Sequence, residues 1–169
     1  MNSIKYTVSP DVLATKSIRF ANFVIDYICI LIVGGSVGVA IALLSELTGS
    51  YGVYEVLVLN ENVVIEYTFG YFLWLLYYIP FEALTKGRTL GKYITKTKVV
   101  LYDGSEPTFN EILVRSLCRL IPFEQFSFLG ENGKGWHDSI SKTYVIDIVK
   151  FEAKKATFEG LDEIGRIEE

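Results

Sequence analysis

FANFVIDYICILIVGGSVGVAIALL, residues 20–44, carries a single charged side chain, Asp26. A second run, VVIEYTFGYFLWLLYYIPFEAL over residues 63–84, carries Glu66 and Glu82 near its two ends, and no Lys or Arg occurs between Arg19 and Lys86. About 20 apolar residues match the hydrocarbon thickness of a bilayer, so the pair reads as a helical hairpin that crosses a membrane twice. The competing reading, core helices of a soluble domain, fits poorly with two such runs so nearly free of charge.

Orientation follows from the bases on the flanks. Lys5, Lys16 and Arg19 precede the first run, and Lys86, Arg88, Lys92, Lys96 and Lys98 follow the second. The connecting loop, residues 45–62, has Glu46, Glu55 and Glu61 and no base. Basic segments resist translocation, which places the N-terminus and residues 86–107 in the cytoplasm of a multi-pass plasma-membrane protein. The first run starts late, is longer than the apolar part of a signal peptide and lacks a small-residue cleavage site, so it is expected to stay as an anchor. The net charge of −4 over 169 residues gives no nucleic-acid footprint. Cys29 and Cys118 sit among apolar neighbours and read as packing residues.

The chain divides as follows: a cytoplasmic segment 1–16, a first helix 17–44, a second helix 63–85, a cytoplasmic segment 86–107, a helical third element 108–129, a loop and strand 130–149, and a charged tail 150–169, mobile or a weak helix. The fold class is thus an all-α membrane protein: a two-span hairpin, an amphipathic or re-entrant third helix, and a short cytoplasmic β ribbon pairing residues 95–101 with 142–149. Thr108 and Glu111 form a capping box that starts the third element, and Pro122 interrupts it. Arg115 and Arg119 make a full lipid-exposed span costly. In the outer half of the first helix Gly34, Gly38 and Ala42 recur every fourth residue, which suits close helix packing, either against the second helix or between two copies of the chain.

Arg19, Asn22 and Asp26 fall on one face of the first helix, two turns deep. With Glu82, Arg115 and Arg119 they make a candidate polar cluster in the inner leaflet. Arg19, Arg115 and Arg119 are the expected partners of Asp26. Two readings stay open: a structural charge pair that pins the third element to the hairpin, or a site for an ion, proton or small polar solute. From residue 29 to 44 and from 68 to 81 there is no carboxylate, base or histidine, so passage through a single copy would lack ionisable steps.

The ordered set of motifs resembles the RDD family of membrane proteins. Arg19 and Asp26 match its arginine and first aspartate, and Asp138 in Trp136-His137-Asp138 its second. Gly87, Thr89, Gly91 and Lys92 match its segment after the second helix, and the resemblance covers about residues 15–147. It implies a multi-pass membrane protein, with transport as the suggested role. The alternative role is a non-catalytic adaptor whose basic segment 86–98 attracts anionic lipid.

Gly87, Gly91 and Lys92 are one residue short of a phosphate loop, and Tyr93 stands where that loop needs Ser or Thr. His137 is the single histidine, so no metal site and no cofactor is expected. Asp138 is expected to cap a turn or to pair with Lys92. No nucleophile–base arrangement stands out, and an enzyme is not expected.

Overall fold

The computed structural model describes residues 6–130 and 133–167, with side chains up to residue 161. Helix α1 (Lys16–Thr48) and helix α3 (Val63–Leu84) form the hairpin. At 33 and 22 residues they are about 50 and 33 Å long, enough to cross a bilayer. Thr15 caps α1 by accepting from the Ile18 amide, and Gly49 closes it in the left-handed region at φ 68°. The helix runs one turn beyond the expected boundary at residue 44. Residues 45–62, expected to be a loop, contain helix α2 (Gly52–Leu57).

The apolar faces of the hairpin are open. Ile32 is 63 % exposed, Val39 62 %, Val64 67 % and Phe72 57 %. Contiguous exposure on this scale does not persist in water and marks a surface made for lipid or another apolar partner. Between the helices, Ile30, Tyr77 and Tyr78 pack with Trp74 and Phe81. Gly34 lies at the crossing, where an added Cβ would come 3.2 Å from Leu73, whereas one at Gly38 would meet nothing within 4 Å.

The base of the hairpin is built from short elements, α4 (Leu90–Ile94), β1 (Thr97–Leu101), α5 (Phe109–Cys118), α6 (Trp136–Ile140) and β2 (Thr143–Asp147), and the longer α7 (Ile148–Ile167). Strands β1 and β2 pair antiparallel, Thr97 opposite Asp147 and Leu101 opposite Thr143. Alternation then sends Val99 and Val145 to one face with Ala14, and Val100 and Ile146 to the other with Val12 and Phe151. The N-terminal segment joins the ribbon through a bridge from Leu13 to Ile146.

The two strands are delivered by the same local device. Ile94-Thr95-Lys96-Thr97 and Ile140-Ser141-Lys142-Thr143 each end a five-residue helix, turn through a lysine at φ 56° or 55°, and enter a strand. In this arrangement Lys92 and Asp138 hold equivalent third positions of α4 and α6.

Helix α5 has ten residues, about 15 Å, and is too short to span. A 3-10 turn, Glu124–Leu129, follows the break at Pro122. The outer face of this third element is apolar, with Phe109, Leu117, Phe123 and Phe126 exposed and Arg115 fully buried. The charged tail, expected to be mobile or a weak helix, forms helix α7 as far as Ile167. Phe151 packs beneath the turn at Gly104, and Tyr6 meets Phe151 and Phe158 edge-on, so the helix is held by aromatic contacts that its charged composition hides.

Candidate functional site

All six residues of the expected polar cluster lie at the base of the hairpin, but their partners differ from expectation. Asp26 does not pair with an arginine. One of its carboxylate oxygens accepts from the Tyr77 hydroxyl at 2.7 Å and the Gly91 amide at 2.9 Å, and the other from the Thr89 hydroxyl at 2.7 Å. Asp26 thus ties α1 to α3 and to the start of α4. The approach is close enough that a Cβ at Gly91 would sit 2.6 Å from the Asn22 carbonyl oxygen. Asn22 extends the seam, accepting from Thr95 at 2.5 Å and donating to Thr97 at 3.0 Å.

The arginines belong to a second, contiguous network. Arg19 pairs with Asp138, across 119 residues of sequence. Asp138 also accepts from Arg115 at 2.6 Å and from the Gly135 amide at 3.1 Å. Arg115 continues to Glu82 at 3.5 Å and to the Thr143 hydroxyl. Glu82 in turn holds Arg119 at 2.9 Å and Lys92 at 2.5 Å. Arg115, Glu82 and Asp138 are each 0 % exposed, so this chain of alternating charge is desolvated and depends on its geometry. Arg119 also lies over the Tyr78 ring, 3.9 Å from its centre.

Lys92, expected as a topology-setting base, is turned into this network. Burial pushes its ammonium down to about 8; Glu82 resists the fall, and Arg119 and Arg115 add to it. Of the other bases in the segment, Lys86 and Lys98 share Glu106, at 3.1 and 2.8 Å. Asp138 does cap its local turn, but Arg19 and Arg115 take the place expected of Lys92. Burial would raise the Asp138 carboxyl, yet His137, Arg19 and Arg115 outweigh it and hold it well below the usual range.

Glu124 is not singled out by the sequence, and His137 is considered there only as a metal ligand or base. The His137 ring places Nδ1 on Glu124 and Nε2 3.2 Å from Asp138. Glu124 also accepts from the His137 amide at 3.1 Å and from Ser127 at 3.2 Å. Burial would raise the Glu124 carboxyl, and the hydrogen bond and charge of His137 bring it below its ordinary value. Among the described residues no group of three or more His, Cys, Asp or Glu is placed to hold a metal ion.

Between α1, α3, α5 and the 3-10 turn lies a cavity of about 60 Å³. Its polar wall includes Arg19, Lys92, Arg115, Arg119 and His137, and its apolar wall Phe23, Trp74 and Phe128. Such a chamber suits a small charged or polar group.

A family model described as the RDD family matches residues 13–151. No curated protein and no solved structure matches the chain.

Proposed function

The chain belongs to the RDD family, a membrane family, and on that premise we propose that α1 and α3 cross the bilayer and that the charged base lies at the cytoplasmic face, where its cavity receives an ion or small polar solute. The charge asymmetry supports the orientation: bases flank the hairpin and acids occupy its connecting loop. The third element then lies in the inner interface, Leu117, Phe123 and Phe126 toward lipid and Arg115 toward the network.

The observation that carries the solute reading is the cavity itself. The ion pairs close on one another, yet Arg19, Lys92, Arg115 and Arg119 also border a chamber of about 60 Å³, and Arg115 Nη2 and Arg119 Nη1 find no hydrogen-bond partner among the described residues, which pinning helices together would not require. Translocation would draw on water or on a second copy for continuity, since α1 beyond Asp26 and α3 before Glu82 offer no carboxylate, base or histidine until Glu46 and Glu66. The face of α1 carrying Gly35 and Gly38, where an added Cβ meets nothing within 4 Å, suits approach of a second copy. The adaptor reading has less support, because Lys92 is buried and Lys86 and Lys98 are already engaged by Glu106.

Purified protein in sealed vesicles should move at least one small ion faster than protein-free vesicles, and Arg119→Gln should slow it. Equal rates for folded protein and empty vesicles across cations and anions would remove the transport reading.

A further inference from the structure

The sign of the solute can be read from the cavity wall. Arg19, Lys92, Arg115 and Arg119 line it, while their counter-charges Glu82 and Asp138 do not. The two carboxylates that do line it are already occupied: Asp26 accepts from Tyr77, Thr89 and Gly91, and Glu124 from His137 and Ser127. The surplus is in donors. Arg115 Nη2, Arg119 Nη1 and Trp74 Nε1 are buried with no hydrogen-bond partner among the described residues. The guanidinium side chains that carry the first two are 0 % and 8 % exposed. The one buried acceptor in the network without a hydrogen bond, Glu82 Oε2, faces Arg115 Nε at 3.5 Å. Buried donors of this kind are costly unless an acceptor satisfies them, and a charged acceptor between two guanidinium groups does so best.

We propose that this cavity is an anion site, which takes a compact phosphate-like group between Arg115 and Arg119. The cavity, about 60 Å³, is of a size for one compact group. The same chemistry arises from free phosphate in the cytoplasm and from the headgroup of an anionic lipid; the apolar wall of Phe23, Trp74 and Phe128 is compatible with either. The inference deepens the solute reading above by giving the solute a charge, and it rests on that reading only for the face from which the anion enters.

The test is binding, measured on the full chain in detergent by thermal unfolding at matched ionic strength, with inorganic phosphate or with phosphatidylglycerol added to phosphatidylcholine micelles. Saturable stabilisation by either probe is expected, and which of the two acts assigns the source. Arg119→Gln should weaken the apparent affinity about tenfold or more. Because Arg119 also holds Glu82, that variant alone could fail through misfolding. Gln125→Glu adds a negative charge to the wall outside the ion-pair network and should weaken binding while leaving the ligand-free midpoint close to wild type. Absence of saturable stabilisation by both probes, unchanged affinity in Gln125→Glu, or stabilisation by sodium or potassium ions in their place would overturn the proposal. Phosphate binding without any flux in vesicles would leave the anion site standing and remove transport; cation flux without anion binding would do the reverse.

Discussion

Replacing Gly91 by alanine tests the seam that Asp26 makes between α1 and α4. The new Cβ would lie 2.6 Å from the Asn22 carbonyl oxygen, 3.1 Å from the Asn22 Cα and 3.1 Å from an Asp26 carboxylate oxygen. Two of these three atoms are backbone of a 33-residue helix and cannot swing aside, so α4 must back away by several tenths of an ångström. That movement lengthens the 2.9 Å bond from the Gly91 amide to Asp26. Overpacking costs about 1–3 kcal/mol and loss of a hydrogen bond to a carboxylate about 1.5–3 kcal/mol. Alanine returns about 1 kcal/mol through its better helix propensity, which leaves a net loss of about 1.5–5 kcal/mol. Gly70→Ala on α3 is the control, since its Cβ meets nothing within 4 Å and the change should be neutral or slightly stabilising. Reversible unfolding in mixed micelles measures both. A Gly91→Ala protein within about 0.5 kcal/mol of wild type would refute the close approach and with it the assigned role of Asp26.

Asp138→Asn leaves Arg19 and Arg115 buried without their shared carboxylate and should cost about 3–5 kcal/mol in the same assay; a double-mutant cycle with Arg19→Gln should show strong coupling, and additive losses would contradict a direct pair. The Asp138 carboxyl is depressed in the folded state, so its contribution is complete above pH 3.8, its ordinary value, and is lost as pH falls below it. The acid-side decline in melting temperature should therefore be shallower in Asp138→Asn than in wild type, and parallel curves would count against the shift. Phe151→Ala should cost about 3 kcal/mol or more and free α7 from the ribbon, read as faster amide exchange in β1; unaltered exchange would mean that α7 is not anchored there.

Much of this architecture is legible in the sequence because its strongest signals are long. The absence of bases between Arg19 and Lys86 marks the hairpin, and alternation at Val99 and Val145 marks the ribbon. The capping box at Thr108 and Glu111 marks the start of α5, where Glu111 does reach back to the Thr108 amide at 2.8 Å. Membership of the polar cluster is legible in part: Arg19, Asn22, Asp26 and Glu82 stand on apolar stretches and must find company, whereas Lys92 and Asp138, which complete the network, carry no such mark. Which acid meets which base is not legible. That depends on the depth at which α4 and α6 dock, and five-residue helices give no periodicity to read. One signal could have placed them: the repeated Ile-Thr/Ser-Lys-Thr before each strand. It identifies α4 and α6 as equivalent units and so puts Lys92 and Asp138 in equivalent inward positions. For helix α7 the sequence leaves mobile chain and weak helix open, because its anchors are few among many charges: Phe151, Phe158 and the Lys154–Asp11 pair.

Everything at the base acquires its meaning from the side of the membrane on which it sits, and cysteine accessibility reads that directly. With Cys29 and Cys118 replaced by serine, Ser50→Cys in the hairpin loop and Lys134→Cys beside α6 are probed in intact cells with a membrane-impermeant thiol reagent. Labelling at position 50 from outside, and at position 134 only after the membrane is opened, is the expected pattern. Position 134 reacting in intact cells, with position 50 protected, would place the arginines and their cavity on the wrong side and contradict the account.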